Sequence, residues 1–122
     1  MFRLNADGTT IEMIRGNTGT LRIRLTGYTF GNNDRVLFMM KSPSGTEVKS
    51  QICQPDAEGW IEIPFVNTDT DYLSAGDYVY AVTAATDPEY DSGGKIVNGS
   101  GVDTPEETNN KTIRILDTAA LV

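Results

Sequence analysis

Hydrophobic residues in this chain alternate with polar ones at period two, in short runs broken by turn residues. No segment keeps a 3.6-residue apolar stripe over eleven or more positions. The pattern predicts strands. Thr9 to Arg15 is the first, and Gly16-Asn17-Thr18-Gly19 supplies the turn that follows it. From Thr20 to Thr26, Leu21, Ile23 and Leu25 alternate with Arg22, Arg24 and Thr26, as in a strand with one face on a core and one in water. Gly27 to Asn33 is a loop, Arg35 to Lys41 a third strand, Ser42-Pro43-Ser44-Gly45 a turn, and Thr46 to Cys53 a fourth strand that Pro55 to Gly59 breaks. A fifth runs from Trp60 to Val66, with Ile61, Ile63 and Phe65 on one face and Trp60, Glu62 and Pro64 on the other. Pro64 has no N–H for a ladder, which places this strand at a sheet edge or at a bulge. Asn67 to Leu73 reads as a single helical turn with Asn67 or Thr68 as N-cap and Asp69 and Asp71 near its positive end. Gly76 to Thr86 and Lys111 to Leu116 complete about seven strands.

Short strands at roughly ten-residue spacing, with no helix long enough for a crossover, predict an all-β fold over residues 1–122: an antiparallel, immunoglobulin-like β-sandwich in one domain. A small barrel is the alternative. Trp60 falls on the fifth strand and the chain has one cysteine, so the antibody-type pattern of buried tryptophan and cysteine pair is excluded. The connection at 87–110 is far longer than the ~2–5 residues of most hairpin loops. It is rich in glycine and carries Asp87, Glu89, Asp91, Asp103, Glu106 and Glu107 against Lys95 alone. Such a segment is either a flap or the host of an extra hairpin around Lys95 to Val97.

The third strand departs from simple alternation, because Val36, Leu37, Phe38, Met39 and Met40 leave neither face polar. The sixth repeats this with Tyr78, Tyr80 and Val82 against Val79, Ala81 and Thr83. In an immunoglobulin-like topology these strands are neighbours, so Leu37, Met39, Val79 and Ala81 form an apolar outer face that requires cover. Either the 87–110 loop or the Met1 to Leu4 arm folds over it, or it is a subunit interface, for which methionine and tyrosine are favoured.

Charge and composition narrow the chemistry. The net charge is −7, with seven Lys/Arg against six Asp/Glu in residues 1–61 and three against eleven in 62–122. A field of that sign disfavours nucleic acid. No run of about 18 apolar residues suggests a membrane span, and Met1-Phe2-Arg3-Leu4-Asn5 opens without the apolar run of a signal peptide, which predicts synthesis in the cytoplasm. There is no histidine, so the usual general base and the commonest metal ligand are both missing, and no enzyme, cofactor or metal is expected. Asp69 and Asp71 are explained by the helical turn. Asp87, Glu89 and Asp91 alternate as calcium ligands can, but Pro88 interrupts the pattern and Asn98 stands where a twelfth-position glutamate would be. Asn98-Gly99-Ser100 matches a glycosylation acceptor that has no meaning without secretion. Cys53 is expected as a small apolar strand residue.

The order of motifs resembles small immunoglobulin-like proteins and N-terminal domains of phage and prophage tail and baseplate components, including baseplate upper proteins. The residues concerned are Arg15-Gly16-Asn17-Thr18-Gly19-Thr20, Asp34-Arg35-Val36-Leu37-Phe38, Asp69-Thr70 before Leu73, Gly76-Asp77-Tyr78-Val79-Tyr80, and Thr112-Ile113-Arg114-Ile115. An acidic residue is common where Asn17 stands, and the acidic loop is longer than in the family. Tyr78 or Tyr80 is placed for a tyrosine corner, in which the hydroxyl bonds back to the backbone upstream. The resemblance implies a non-enzymatic structural or adaptor module. It would be made in the bacterial cytoplasm, assemble into a virion or phage-like particle, and bind copies of itself or neighbouring tail or baseplate proteins. The competing expectation is a carbohydrate-binding sandwich with Trp60, Tyr72 and Tyr90 as candidate aromatics. Trp60 itself is expected to pack under a sheet edge.

Overall fold

A computed structural model describes residues 2–4, 10–98, 101–103 and 111–117. Its strands are β1 (Phe2–Leu4), β2 (Ile11–Ile14), β3 (Gly19–Arg24), β4 (Arg35–Lys41), β5 (Glu47–Cys53), β6 (Trp60–Phe65), β7 (Gly76–Thr86), β8 (Glu89–Tyr90), β9 (Ile96–Asn98), β10 (Gly101–Asp103) and β11 (Lys111–Leu116). The fold is all-β, and among the described residues the only helical element is a 3-10 turn at Asn67–Asp69.

A large sheet runs in the order β1-β2-β11-β7-β4-β5, with β10 also on β7. Its pairs are antiparallel except β2 with β11, which are parallel. Because β4 holds the other side of β7 along 79–85, β10 (at Ala84 to Thr86) and β11 (at Gly76 to Tyr80) share one edge of that long strand. Facing the large sheet is a two-stranded one, β3 with β6, in register from Gly19 opposite Phe65 to Arg24 opposite Trp60. The alternation predicted from the sequence sets what lies between. Val36, Phe38, Met40, Val82, Ile113 and Ile63 are all 0% exposed, and they join Leu21, Ile61 and Phe65 in one cluster. Each large side chain buried this way contributes about 1.5–3 kcal/mol. Phe38 ties the layers together, with its ring edge-on to Phe65 of the small sheet at 6.3 Å and stacked on Tyr80 of its own sheet at 5.8 Å.

Several sequence expectations change. The strand count is eleven among the described residues, because the arm and the long connection add β1, β8, β9 and β10. Phe2 to Leu4 does not cover the outer face. It lengthens the large sheet beside β2 and sets the Phe2 ring edge-on to Phe65 at 5.2 Å, on the core side. The turn after β6 is capped by Val66, not by Asn67 or Thr68: Val66 is extended (φ −110, ψ 164), and the Asp69 carboxylate reaches back to accept its N–H at 2.8 Å. Pro64 sits where it was expected, on a strand that pairs with β3 alone. In the connection, β8 and β9 form a hairpin, its turn held by Asp91 N–H to the Lys95 carbonyl at 2.9 Å. Glu106 and Glu107 lie outside the described residues, as do Gly99 and Ser100 of the acceptor motif.

Gly59 closes the bend between β5 and β6 at φ +90, and its carbonyl accepts the Leu25 N–H at 2.9 Å. A Cβ there would lie 2.2 Å from the Leu25 carbonyl oxygen, a backbone atom with nowhere to move. Gly59→Ala is therefore expected to destabilise the fold by roughly 2–4 kcal/mol, combining left-handed strain with a forced shift of the β3 end. A urea titration would read this as a lower midpoint at unchanged slope.

Candidate functional site

Of the segments that carry the resemblance, Arg15 to Thr20, Asp69-Thr70, Gly76 to Tyr80 and Thr112 to Ile115 meet at one end of the fold, while Asp34 to Phe38 begins at the other, where Arg35 pairs with Ala85. The turn before β3 has Gly16 at φ +77, so its N–H points to the Thr70 hydroxyl and donates to it at 2.8 Å. Thr70 is only 1% exposed. Beside it, the Arg15 guanidinium donates to the Leu73 carbonyl at 3.4 Å and pairs with Asp117 at 2.5 Å. Of the two tyrosines expected at a corner, Tyr78 makes the contact, its hydroxyl donating to the Ser74 carbonyl at 2.9 Å. Tyr80 is instead in the core, where burial pushes its phenol pKa up. Asn17 leaves its buried side-chain N–H without a hydrogen-bond partner among the described residues. This constellation joins turns to one another through hydrogen bonds and one ion pair.

On the outer face of the large sheet, β4 and β7 are neighbours, with Met39 opposite Ala81, Leu37 opposite Thr83 and Lys41 opposite Val79. Leu37, Met39, Val79 and Ala81 are all half-buried. Part of their cover comes from the β8–β9 hairpin: Lys95 and Ile96 enclose a cavity of about 150 Å³ with Leu37, Met39 and Ile52. Val79 and Ala81 lie on the same face but do not line that cavity. Further along, Arg114 donates to Asp77 at 2.6 Å and lies 3.7 Å from Glu12. That hydrogen bond holds the Asp77 carboxyl below the usual carboxylate range.

Two of the carboxylates singled out for chemistry, Asp69 and Asp91, have a local use. Asp69 caps Val66 and receives Lys49 Nζ at 3.1 Å. Asp91 Oδ1 accepts the N–H groups of Gly93 and Lys95, both at 2.9 Å, within the hairpin turn. Among the described residues, no three of His, Cys, Asp and Glu converge as a metal would require. Cys53 is buried and faces the β6 backbone, its thiol donating to the Glu62 carbonyl at 3.6 Å, and burial raises its pKa. No helix among the described residues is long and apolar enough to cross a membrane.

Trp60 is placed differently from expectation. It stands half-buried on the outward face of the β3–β6 sheet, because its strand position is in phase with Glu62 and Pro64 and opposed to the core residues. The Arg22 guanidinium lies 4.6 Å from the centre of its ring and that of Arg24 5.8 Å. The alternation of β3 and β6 was visible in the sequence, but the register that sets Arg24 opposite Trp60 was not. Trp60 also walls an open cleft of about 350 Å³ between β5 and β6, lined further by Gln51, Gln54, Asp56 and Glu62. Tyr72 and Tyr90 are exposed on other elements and do not join Trp60 in a shared aromatic surface. Comparison with known proteins found no matching family model, no similar curated protein and no similar solved structure.

Thr70→Val is expected to cost about 1–3 kcal/mol, since it removes the acceptor of a part-buried N–H, while Thr70→Ser retains most of the stability; urea unfolding of the pair separates the hydroxyl from the volume. The depressed Asp77 carboxyl contributes stability that is full above its unfolded-state titration and is lost as pH falls through its native one. The contribution is small because Asp77 is over half exposed. In Asp77→Asn, the loss of stability on acidification below about pH 4 should be correspondingly shallower, as read from urea midpoints along a pH series.

Proposed function

We propose that this chain is a non-enzymatic structural or adaptor module of immunoglobulin-like topology that acts through protein–protein assembly in a phage or prophage tail or baseplate. The observation that carries the assembly reading is the outer face of β4 and β7, where Leu37, Met39, Val79 and Ala81 remain only half-buried and the hairpin encloses just the Leu37 and Met39 end. An apolar stretch of this kind on a two-layer fold favours contact with a second protein surface. The topological part of the proposal is supported by the strand order β2-β11-β7-β4-β5 over β3-β6, by the parallel β2–β11 pair, and by the Tyr78 corner. The link to tail and baseplate proteins rests on the motif resemblance. Its support from the fold is that Arg15, Gly16, Thr70, Leu73 and Tyr78 belong to one packed constellation at one end of the sandwich.

The partner tested first is another copy of the chain. Sedimentation velocity over a wide concentration range is expected to give a defined oligomer that dissociates in Val79→Lys and Ala81→Lys, two positions beyond the cavity under the hairpin, with circular dichroism unchanged. A monomer at every concentration would overturn self-assembly through this face.

A further inference from the structure

The small sheet is two strands wide among the described residues, so β5 of the large sheet overhangs it and no described strand fills the gap beside β6. The cleft walled by Trp60 occupies this gap. Its volume of about 350 Å³ lies at the lower end of the ~300–1,000 Å³ typical of small-molecule sites.

The indole is a held platform. Arg22 reaches it from β3, on the far side of β6 from the cleft, and does not line the cleft. Trp60 itself lines the cleft, and the guanidinium over its ring restrains it. Around it stand two amides, Gln51 and Gln54, and two carboxylates, Asp56 and Glu62. Asp56 is fixed in place, since its Oδ1 accepts the N–H groups of Glu58 at 2.9 Å and Trp60 at 3.0 Å. We propose that this cleft is a saccharide-binding site for a neutral glycan, with Trp60 as stacking surface and Gln51, Gln54 and Asp56 as hydrogen-bonding groups.

The same residues disfavour the other ligand classes. Two carboxylates repel anionic sugars, nucleotides and phosphorylated groups. Two guanidinium groups already near the indole repel a third cation from the ring. An extended peptide adding to the sheet edge would need open backbone groups, and three carbonyls at the gap already accept side-chain donors. Tyr72 donates to the Val48 carbonyl at 3.4 Å, Gln51 to that of Ile52 at 3.3 Å, and Cys53 to that of Glu62 at 3.6 Å. A neutral pyranose fits what remains, because its C–H face carries the partial positive charge that an indole face attracts and its hydroxyls both donate and accept.

The chain has one tryptophan, so fluorescence excited selectively at the indole, beyond the absorption of its five tyrosines, reports on this cleft. The full chain would be titrated with neutral oligosaccharides of glucose, mannose and N-acetylglucosamine, with an oligogalacturonate and an unstructured peptide as competing probes, and binding followed in parallel by saturation-transfer NMR. The expected result is a saturable response to a neutral glycan and none to the oligogalacturonate. Affinity should fall by about tenfold in Gln54→Ala, an exposed position that leaves the fold intact, and at least as far by NMR in Trp60→Ala. No saturable response to any neutral glycan, or one that Gln54→Ala and a folded Trp60→Ala leave unchanged, would overturn the site. A response to the peptide that glycans cannot displace would assign the cleft to strand addition instead.

Discussion

Two strands face a sheet of seven among the described residues, and most of what is particular to this molecule follows from that mismatch. The β3–β6 pair buries its apolar face on the centre of the large sheet, where Phe38 meets Phe65, and leaves both flanks of the interlayer space open. On one flank, Phe2 from β1 sets its ring against Phe65. On the other, Lys49 of the edge strand β5 turns inward, with its ammonium 4.8 Å from the same Phe65 ring and its charge balanced by Asp69. Phe65 is therefore a hub closed on one side by an aromatic ring and on the other by a cation. An inward-pointing lysine on an edge strand also discourages the edge from recruiting another strand.

The same mismatch separates the surfaces. Apolar side chains surplus to the core appear on the outer face of the large sheet, since β4 is apolar on both faces and only one of them meets the small sheet. The hairpin at 89–98 answers part of that surplus by placing Ile96 near Leu37, Met39 and Ile52. The polar surplus goes elsewhere: Trp60, Glu62, Arg22 and Arg24 share the outward face of the small sheet because each lies one position out of phase with a core residue.

Long alternating strands bounded by glycine, proline or acidic turns were legible to the residue. Arg35–Lys41, Gly76–Thr86 and Lys111–Leu116 have the same ends in the sequence pattern and in the structure, since side-chain phase and turn chemistry act locally there. The extra hairpin around Lys95 to Val97 was offered as one reading of the long connection, and β8 with β9 forms it, but the other three-residue strands were not legible. Phe2–Leu4 and Gly101–Asp103 carry no periodic signal of their own and are strands because β2 and β7 offer them an edge. The cap at Val66 was missed for a related reason: a carboxylate three residues on, rather than the residue's own side chain, satisfies the first N–H. The Trp60 cleft was beyond reach of any pattern along one strand, because it depends on the register between β3 and β6 and on the approach of β5 from the other sheet.

The two proposed surfaces are on opposite layers, and this bears on how they can be used together. Association through the outer face of β4 and β7 buries Val79 and Ala81 while leaving β3 and β6 outermost. In an assembly built that way, each copy presents its Trp60 cleft away from the interface. Weak single-site contacts to a repeating neutral glycan would then act together, because once one site is engaged the others meet the same polymer at a high effective concentration. A module with no histidine and no converging metal ligands among its described residues can in this way combine assembly with recognition. The turn closed by Gly59 joins β5 of the large sheet to β6 of the small one, the two strands that flank the cleft.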